Sequence, residues 1–206
     1  MDAIRKEGKM STALLIVDMQ NDFLPGGALA VVGGEAIIPE INRLSEKYAL
    51  VVATQDWHPK NHGSFASQHK DAKPFDLGTL EGLPQVFWPD HCVQGTYGAE
   101  LSKLIDQERV EAIFRKGMDR RIDSYSAFFD NGHLKATGLE GYLKGRGVSD
   151  VHICGLAADY CVWYTAKDAL ALGFETVILG DATRAINEED LPGLYKELNS
   201  HGGRLA

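Results

Sequence analysis

Cysteine is scarce in this chain, which has only Cys92, Cys154 and Cys161. So odd and sparse a set builds no disulfide framework, which argues against a stapled secreted domain and favours a reducing cytoplasm. Positive charge is also short. Lys and Arg number 21 against 29 Asp and Glu, a formal net charge of −8 over 206 residues. A surface of that sign repels phosphate backbones and anionic lipid, so neither nucleic acid nor a membrane surface is expected as a partner. No apolar run approaches the roughly 20 residues that span a bilayer. Residues 1–10 lack the apolar stretch of a signal peptide. They are expected to form a disordered tail, with Met10 as an alternative start, ahead of a single domain over residues 11–206. Absent too is a G-x-G-x-x-G turn after the first apolar run, where Met19-Gln20-Asn21-Asp22-Phe23 stands instead. That disfavours a dinucleotide-binding dehydrogenase.

What remains is enough for one sizeable core: 44% apolar residues, 9% aromatic and an ordinary 24% charged. Ala13–Val17, Leu50–Thr54, Ala112–Arg115, Val151–Cys154 and Thr176–Leu179 read as short strands, the first a continuous apolar run suited to burial on both faces. Amphipathic helices are expected near 35–48 and 158–172, with weaker ones near 98–106, 136–145 and 188–200. Strand alternating with helix predicts an α/β fold with a parallel sheet covered on both faces. Between Asp56 and Gly98 the rhythm fails, yet the segment carries four Pro, four His and two Trp. A long irregular stretch of that composition is expected to hold much of the active site.

Parallel sheets bind ligands at the carboxyl ends of their strands. Here those ends carry Asp18, Asp56-Trp57-His58, Lys116 and the run Gly155-Leu156-Ala157-Ala158-Asp159-Tyr160 leading to Cys161. Cys161 falls in the first turn of a helix, where free N–H groups and the helix dipole lower a thiol's pKa and can bind an oxyanion. Alone it fits equally a small buried apolar residue. Asp18 alone fits a turn cap, but a nearby Lys116 makes a nucleophile, a proton shuttle and a cation. Asp56 and His58, two positions apart on extended backbone, can point the same way, and His91 supplies a third candidate metal ligand. A structural metal site or a hydrogen-bonded histidine fits those three residues as well. His62 and His69 read as outer or surface groups, and His133, His152 and His201 as structural or exposed. Cys154 reads as core, and Cys92 fits either a core or a site position.

The residues Ile16-Val17-Asp18-Met19-Gln20-Asn21-Asp22-Phe23, Thr54-Gln55-Asp56-Trp57-His58-Pro59 with Ser64-Phe65-Ala66, Trp88-Pro89-Asp90-His91-Cys92-Val93-Gln94-Gly95-Thr96 and Gly155 to Val162 resemble the isochorismatase-like cysteine hydrolases. The two middle segments resemble the nicotinamidase branch, and the match runs over nearly the whole chain after Met10. The resemblance implies a three-layer αβα sandwich on a mainly parallel six-stranded sheet. It implies Cys161 as nucleophile, Asp18 as acid/base and Lys116 as the third catalytic member. Asp56, His58 and His91 would hold one divalent ion (zinc, iron or manganese, zinc foremost), with His62 and Ser64 as further candidates. A cis peptide between Leu156 and Ala157 is implied, with an oxyanion hole from the N–H groups of Ala157 and Cys161. Phe23, Trp88, Tyr125 and Tyr160 would line the ring pocket.

The activity so implied is hydrolysis of nicotinamide, and of pyrazinamide, to the acid and ammonia, in NAD salvage. Its partners are these small molecules, and the chain is expected as a cytoplasmic monomer or small homo-oligomer. The rival readings are another isochorismatase-like hydrolase acting on a different small amide, and a non-catalytic metal-binding domain.

Overall fold

The computed structural model describes residues 11–206; the expected tail at 1–10 lies outside the described residues. Six strands form one sheet: β1 (Ser11–Val17), β2 (Leu50–Asp56), β5 (Ala112–Lys116), β6 (Val148–Leu156), β7 (Glu175–Arg184) and β8 (Arg204–Leu205). Their order is β5-β2-β1-β6-β7-β8, and every neighbouring pair is parallel. β1 lies inside the sheet, which is why Ala13–Val17 is an unbroken apolar run. Leu14 and Ile16 enter one core layer, with Ile38 and Ile41 of α1 (Ile38–Ser45). Ala13, Leu15 and Val17 enter the other. There they meet α2 (Leu139–Gly145), α3 (Cys161–Ala171) and α4 (Leu191–Ser200) through Leu143, Val162, Ala166 and Leu198. Strand alternation thus builds the three αβα layers.

The five expected strands all form, most of them longer than their apolar cores. β8 escaped the sequence reading because two residues make no pattern. The helix expected near 98–106 does not form beyond a 3-10 turn at Tyr97–Ala99. Its backbone is committed elsewhere: Leu101 bridges Gln20, and the Ser102 N–H donates to Met19 O at 2.8 Å. The helix near 35–48 divides into a 3-10 turn at Gly34–Ile37 followed by α1. α3 begins only at Cys161, because the chain before it turns with Tyr160 outside helical geometry. Within 56–98 lies a hairpin of two four-residue strands, β3 (Leu77–Leu80) and β4 (Leu83–Val86). Among the described residues no helix is long and apolar enough to cross a membrane.

Candidate active site

From β1 the chain runs outward through β2 to β5, then returns past β1 to lay down β6, β7 and β8. The sheet therefore has its switch point between β1 and β6, where connections depart to opposite sides and a crevice opens. Asp18 follows β1 in left-handed geometry (φ 47°), and the turn after β6 leads to Cys161 across the crevice. Asp56 and Lys116 end β2 and β5 and are paired in register. Four strand ends so deliver four reactive side chains, each under 7% exposed.

Lys116 is the hub. Its Nζ donates to Asp56 Oδ1 at 2.5 Å, to Ser124 O at 2.9 Å and to Cys161 Sγ at 3.3 Å. Those bonds use its three protons. The 2.8 Å contact with Asp18 Oδ2 is thus an ion pair off the hydrogen-bonding axis, and Oδ2 accepts no directed hydrogen bond. Asp18 Oδ1 is occupied by the Thr54 hydroxyl, which donates at 2.6 Å. A carboxylate oxygen of Asp18 lies within 4.8 Å of the Cys161 sulfur. Burial pushes the Asp18 carboxyl above its usual range, with Lys116 opposing the shift. Burial also drives the Cys161 thiol well up, and Lys116 offsets only part of this. Burial thus favours the thiol over the thiolate, and it sits beside a carboxylate made more basic by its surroundings, an arrangement for general-base activation.

Ala157 and Cys161 both line the same pocket. The Leu156–Ala157 peptide is cis. The neighbouring Ala158 N–H donates to Arg184 O and the Val162 N–H to Ala157 O. Among the described residues, neither Ala157 N–H nor Cys161 N–H donates to a protein acceptor. Two free donors flanking a nucleophile suit a developing oxyanion.

A second cluster adjoins the first. Asp56 Oδ2 stands 3.7 Å from His58 Nε2 and 3.8 Å from His91 Nε2. These distances exceed a hydrogen bond and match two donors sharing one ion at roughly 2.0–2.2 Å. Each ring is anchored from behind: His58 Nδ1 donates to Gly117 O at 2.9 Å and His91 Nδ1 to Pro89 O at 2.8 Å. That fixes the tautomer and turns both Nε2 lone pairs inward, as metal-ligating histidines require. Gly117 permits this approach; at φ 66° it brings its backbone so near that a Cβ would stand 2.3 Å from His58 Cε1. Burial pushes His91 down to about 4, leaving a neutral ligand. The three residues fit a divalent cation. His62 and Ser64 are wholly buried but engage each other, Nδ1 to Oγ at 2.7 Å. His69 is tied to Gly63 O, and Cys92 is a buried free thiol pushed well up by burial.

Both clusters open into one narrow pocket lined by Phe23, Leu29, Trp88, Tyr125, Tyr160 and Ile186. Trp88 meets Tyr160 edge to face at 4.8 Å between centroids, and Phe23 stands T-shaped to His91 at 5.5 Å. The expected pocket residues are therefore all brought together. Several contributors escaped the sequence reading. Thr54 lies two positions before Asp56, so strand alternation alone places it on the same face. The Gln20 side chain brackets Asp56 through its backbone, donating to Asp56 O and accepting from Asp56 N–H, both at 2.8 Å. Asp123 and Gln85 gave no periodic signal.

Residues 12–206 match the isochorismatase domain model. The chain belongs to the isochorismatase family. Within this family it is 46% identical over 199 residues to an Escherichia coli (strain K12) nicotinamidase, covering 94% of this chain and 93% of that one. An Acinetobacter baumanii nicotinamidase/pyrazinamidase structure superposes with a TM-score of 0.92 at 43% identity, over 96% of each chain. A Pyrococcus horikoshii pyrazinamidase in complex with zinc does so with a TM-score of 0.79 at 40% identity, over 95% of this chain and 98% of that one.

Proposed function

We propose that this chain is a nicotinamidase: a metal-dependent cysteine amidohydrolase that converts nicotinamide to nicotinate and ammonia and also accepts pyrazinamide. The observation that carries this reading is the placement of a thiol–carboxylate–lysine set and a metal-donor trio on one aromatic pocket. Asp56, His58 and His91 would hold one divalent ion, for which we favour zinc, and that ion would supply an open Lewis-acid position for the ring nitrogen. Phe23, Trp88, Tyr125 and Tyr160 enclose the ring faces and exclude water.

Asp18 accepts the thiol proton as Cys161 Sγ forms its bond to the amide carbon. The carbonyl electrons move onto oxygen, which the Ala157 and Cys161 N–H groups receive. Asp18 returns the proton to the amide nitrogen, the C–N bond breaks and ammonia leaves a thioester. A water then loses its proton to Asp18 and attacks the thioester carbon; the sulfur departs and regains a proton, releasing nicotinate. Lys116 holds Asp18 and Asp56 in place and steadies negative charge on sulfur.

Residues 11–206 act as one hydrolase domain. Its activity belongs to pyridine-nucleotide salvage in the cytoplasm, a setting that suits three unpaired cysteines. The test is release of ammonia and nicotinate from nicotinamide, with metal content measured on the same sample. Cys161→Ala should abolish turnover while leaving the fold intact. Full turnover by that variant overturns the mechanism.

A further inference from the structure

Asp123 is a buried carboxylate that forms no ion pair with a lysine or arginine, its nearest potential cations being the His58 and His62 imidazoles. It is 3% exposed, lines the pocket and lies within 4.8 Å of ligand atoms of both His58 and His62 without forming an ion pair to either. Its Oδ1 accepts the Ser124 N–H at 2.8 Å and its Oδ2 accepts Gln85 Nε2 at 2.9 Å. Gln85 comes from β4 and is itself 4% exposed; the same amide nitrogen reaches the Tyr125 hydroxyl at 3.1 Å. The hairpin thus sends one polar group inward, and it goes to Asp123. Two N–H donors stabilise a carboxylate rather than its acid form.

The charges do not balance within the protein. Asp18 and Asp56 pair with Lys116, the one buried lysine or arginine among the described residues, and Asp123 adds a third buried carboxylate beside Asp56, His58 and His62. Imidazoles aside, two negative charges are unmatched. Unpaired charge is costly to bury, and a divalent cation at Asp56, His58 and His91 would neutralise the pair.

From this arrangement we infer that Asp123, held by Gln85, is a positioning residue for the metal: an outer carboxylate that supplies the second compensating charge and makes the site one for a divalent ion. The inference rests on the metal reading above, but not on the identity of the substrate. Outer partners of metal ligands are commonly worth about 10- to 100-fold in affinity.

The experiment uses the full chain, stripped with a chelator and titrated with Mn²⁺ and with Zn²⁺ by calorimetry and chelator competition. Asp123→Asn should weaken binding of both ions about 10- to 100-fold. Asp123→Glu, which keeps the charge, should restore most of the loss. Melting supplies a readout of opposite sign. The metal-free Asp123→Asn protein should melt at or above the wild-type metal-free protein, because an unbalanced charge is gone. Its metal-induced rise in Tm should shrink. Gln85→Leu, which leaves the charge in place, tests the same contact and should weaken ion binding several-fold. Unchanged affinity in Asp123→Asn, or in Gln85→Leu should the first variant not fold, overturns the inference. So does an equal loss of Tm with and without metal. Failure of the wild-type protein to bind either ion would instead defeat the metal reading itself.

Discussion

Lys116 touches both halves of the site through one nitrogen, so its removal has a calculable sign. The Cys161 thiol is already pushed well up by burial, and Lys116 is the group that opposes this. Without the cation, less thiolate exists at any given pH. In Lys116→Ala the pH profile of iodoacetamide alkylation at Cys161 should therefore shift to higher pH. The same change strands Asp18 and Asp56, and a broken buried ion pair costs about 3–5 kcal/mol, so a lower denaturation midpoint should accompany the shift. An unmoved alkylation profile would mean that Lys116 serves only the fold. Cys92 and Cys154, both held up by burial, should resist alkylation throughout.

Among the elements, the segment leaving β1 acts as a brace for β2. The Gln20 amide satisfies both backbone groups of Asp56 and also donates to Ala99 O at 2.8 Å. Gln20→Ala removes the side-chain partner of the Asp56 N–H and C=O, each buried group left unpaired costing about 1–3 kcal/mol, while Ala99 O keeps the Gln55 amide. The expected outcome is a loss of that order in chemical denaturation together with weaker metal retention, since Asp56 loses its anchor. Normal metal retention would show that His58 and His91 alone define the cluster. Gln20 stood in the sequence as one polar residue in a motif, with no sign of its partner 36 positions away. The sheet was legible because β1, β2, β6 and β7 carry apolar runs whose burial needs no distant information. The hairpin β3–β4 was not, since Leu77 is exposed and its four-residue strands show little alternation. The failed helix near 98–106 follows the same logic, because tertiary bonds from Met19 and Gln20 outweighed local propensity.

At the scale of the whole molecule, strand order decides what the pocket can distinguish. Thiol chemistry sits at the switch point and the metal donors sit beside it toward the β2–β5 side, both against one aromatic pocket. A substrate held by both centres must reach the thiol and the metal donors at once. Benzamide, which lacks a ring nitrogen, should be hydrolysed about 10- to 100-fold less efficiently than nicotinamide by the metal-loaded protein, the cost of one unmade polar contact. The loss should fall mainly on KM, and chelation should erase the preference. Equal hydrolysis of both amides would assign the ion a purely structural role. The convergence of Asp18, Asp56, Lys116 and Cys161 is legible in the sequence, because each follows or ends an apolar strand run. The contribution of Asp123 is not, because residues 117–138 contain no α-helix and no strand of the sheet to place it.

Asp56 spends one oxygen on each centre, Oδ1 on Lys116 and Oδ2 on the two imidazoles. A cation drawn to Oδ2 withdraws negative charge from Oδ1 and frees Lys116 to favour sulfur. Loading the ion should therefore make the thiol more acidic. Linkage runs both ways by thermodynamic necessity: whatever factor the ion applies to the thiol's proton, loss of that proton applies to the ion's affinity. Metal binding should release part of a proton, and Cys161→Ala should remove that part. A proton count identical in the two proteins would show that the shared carboxylate insulates the centres from each other.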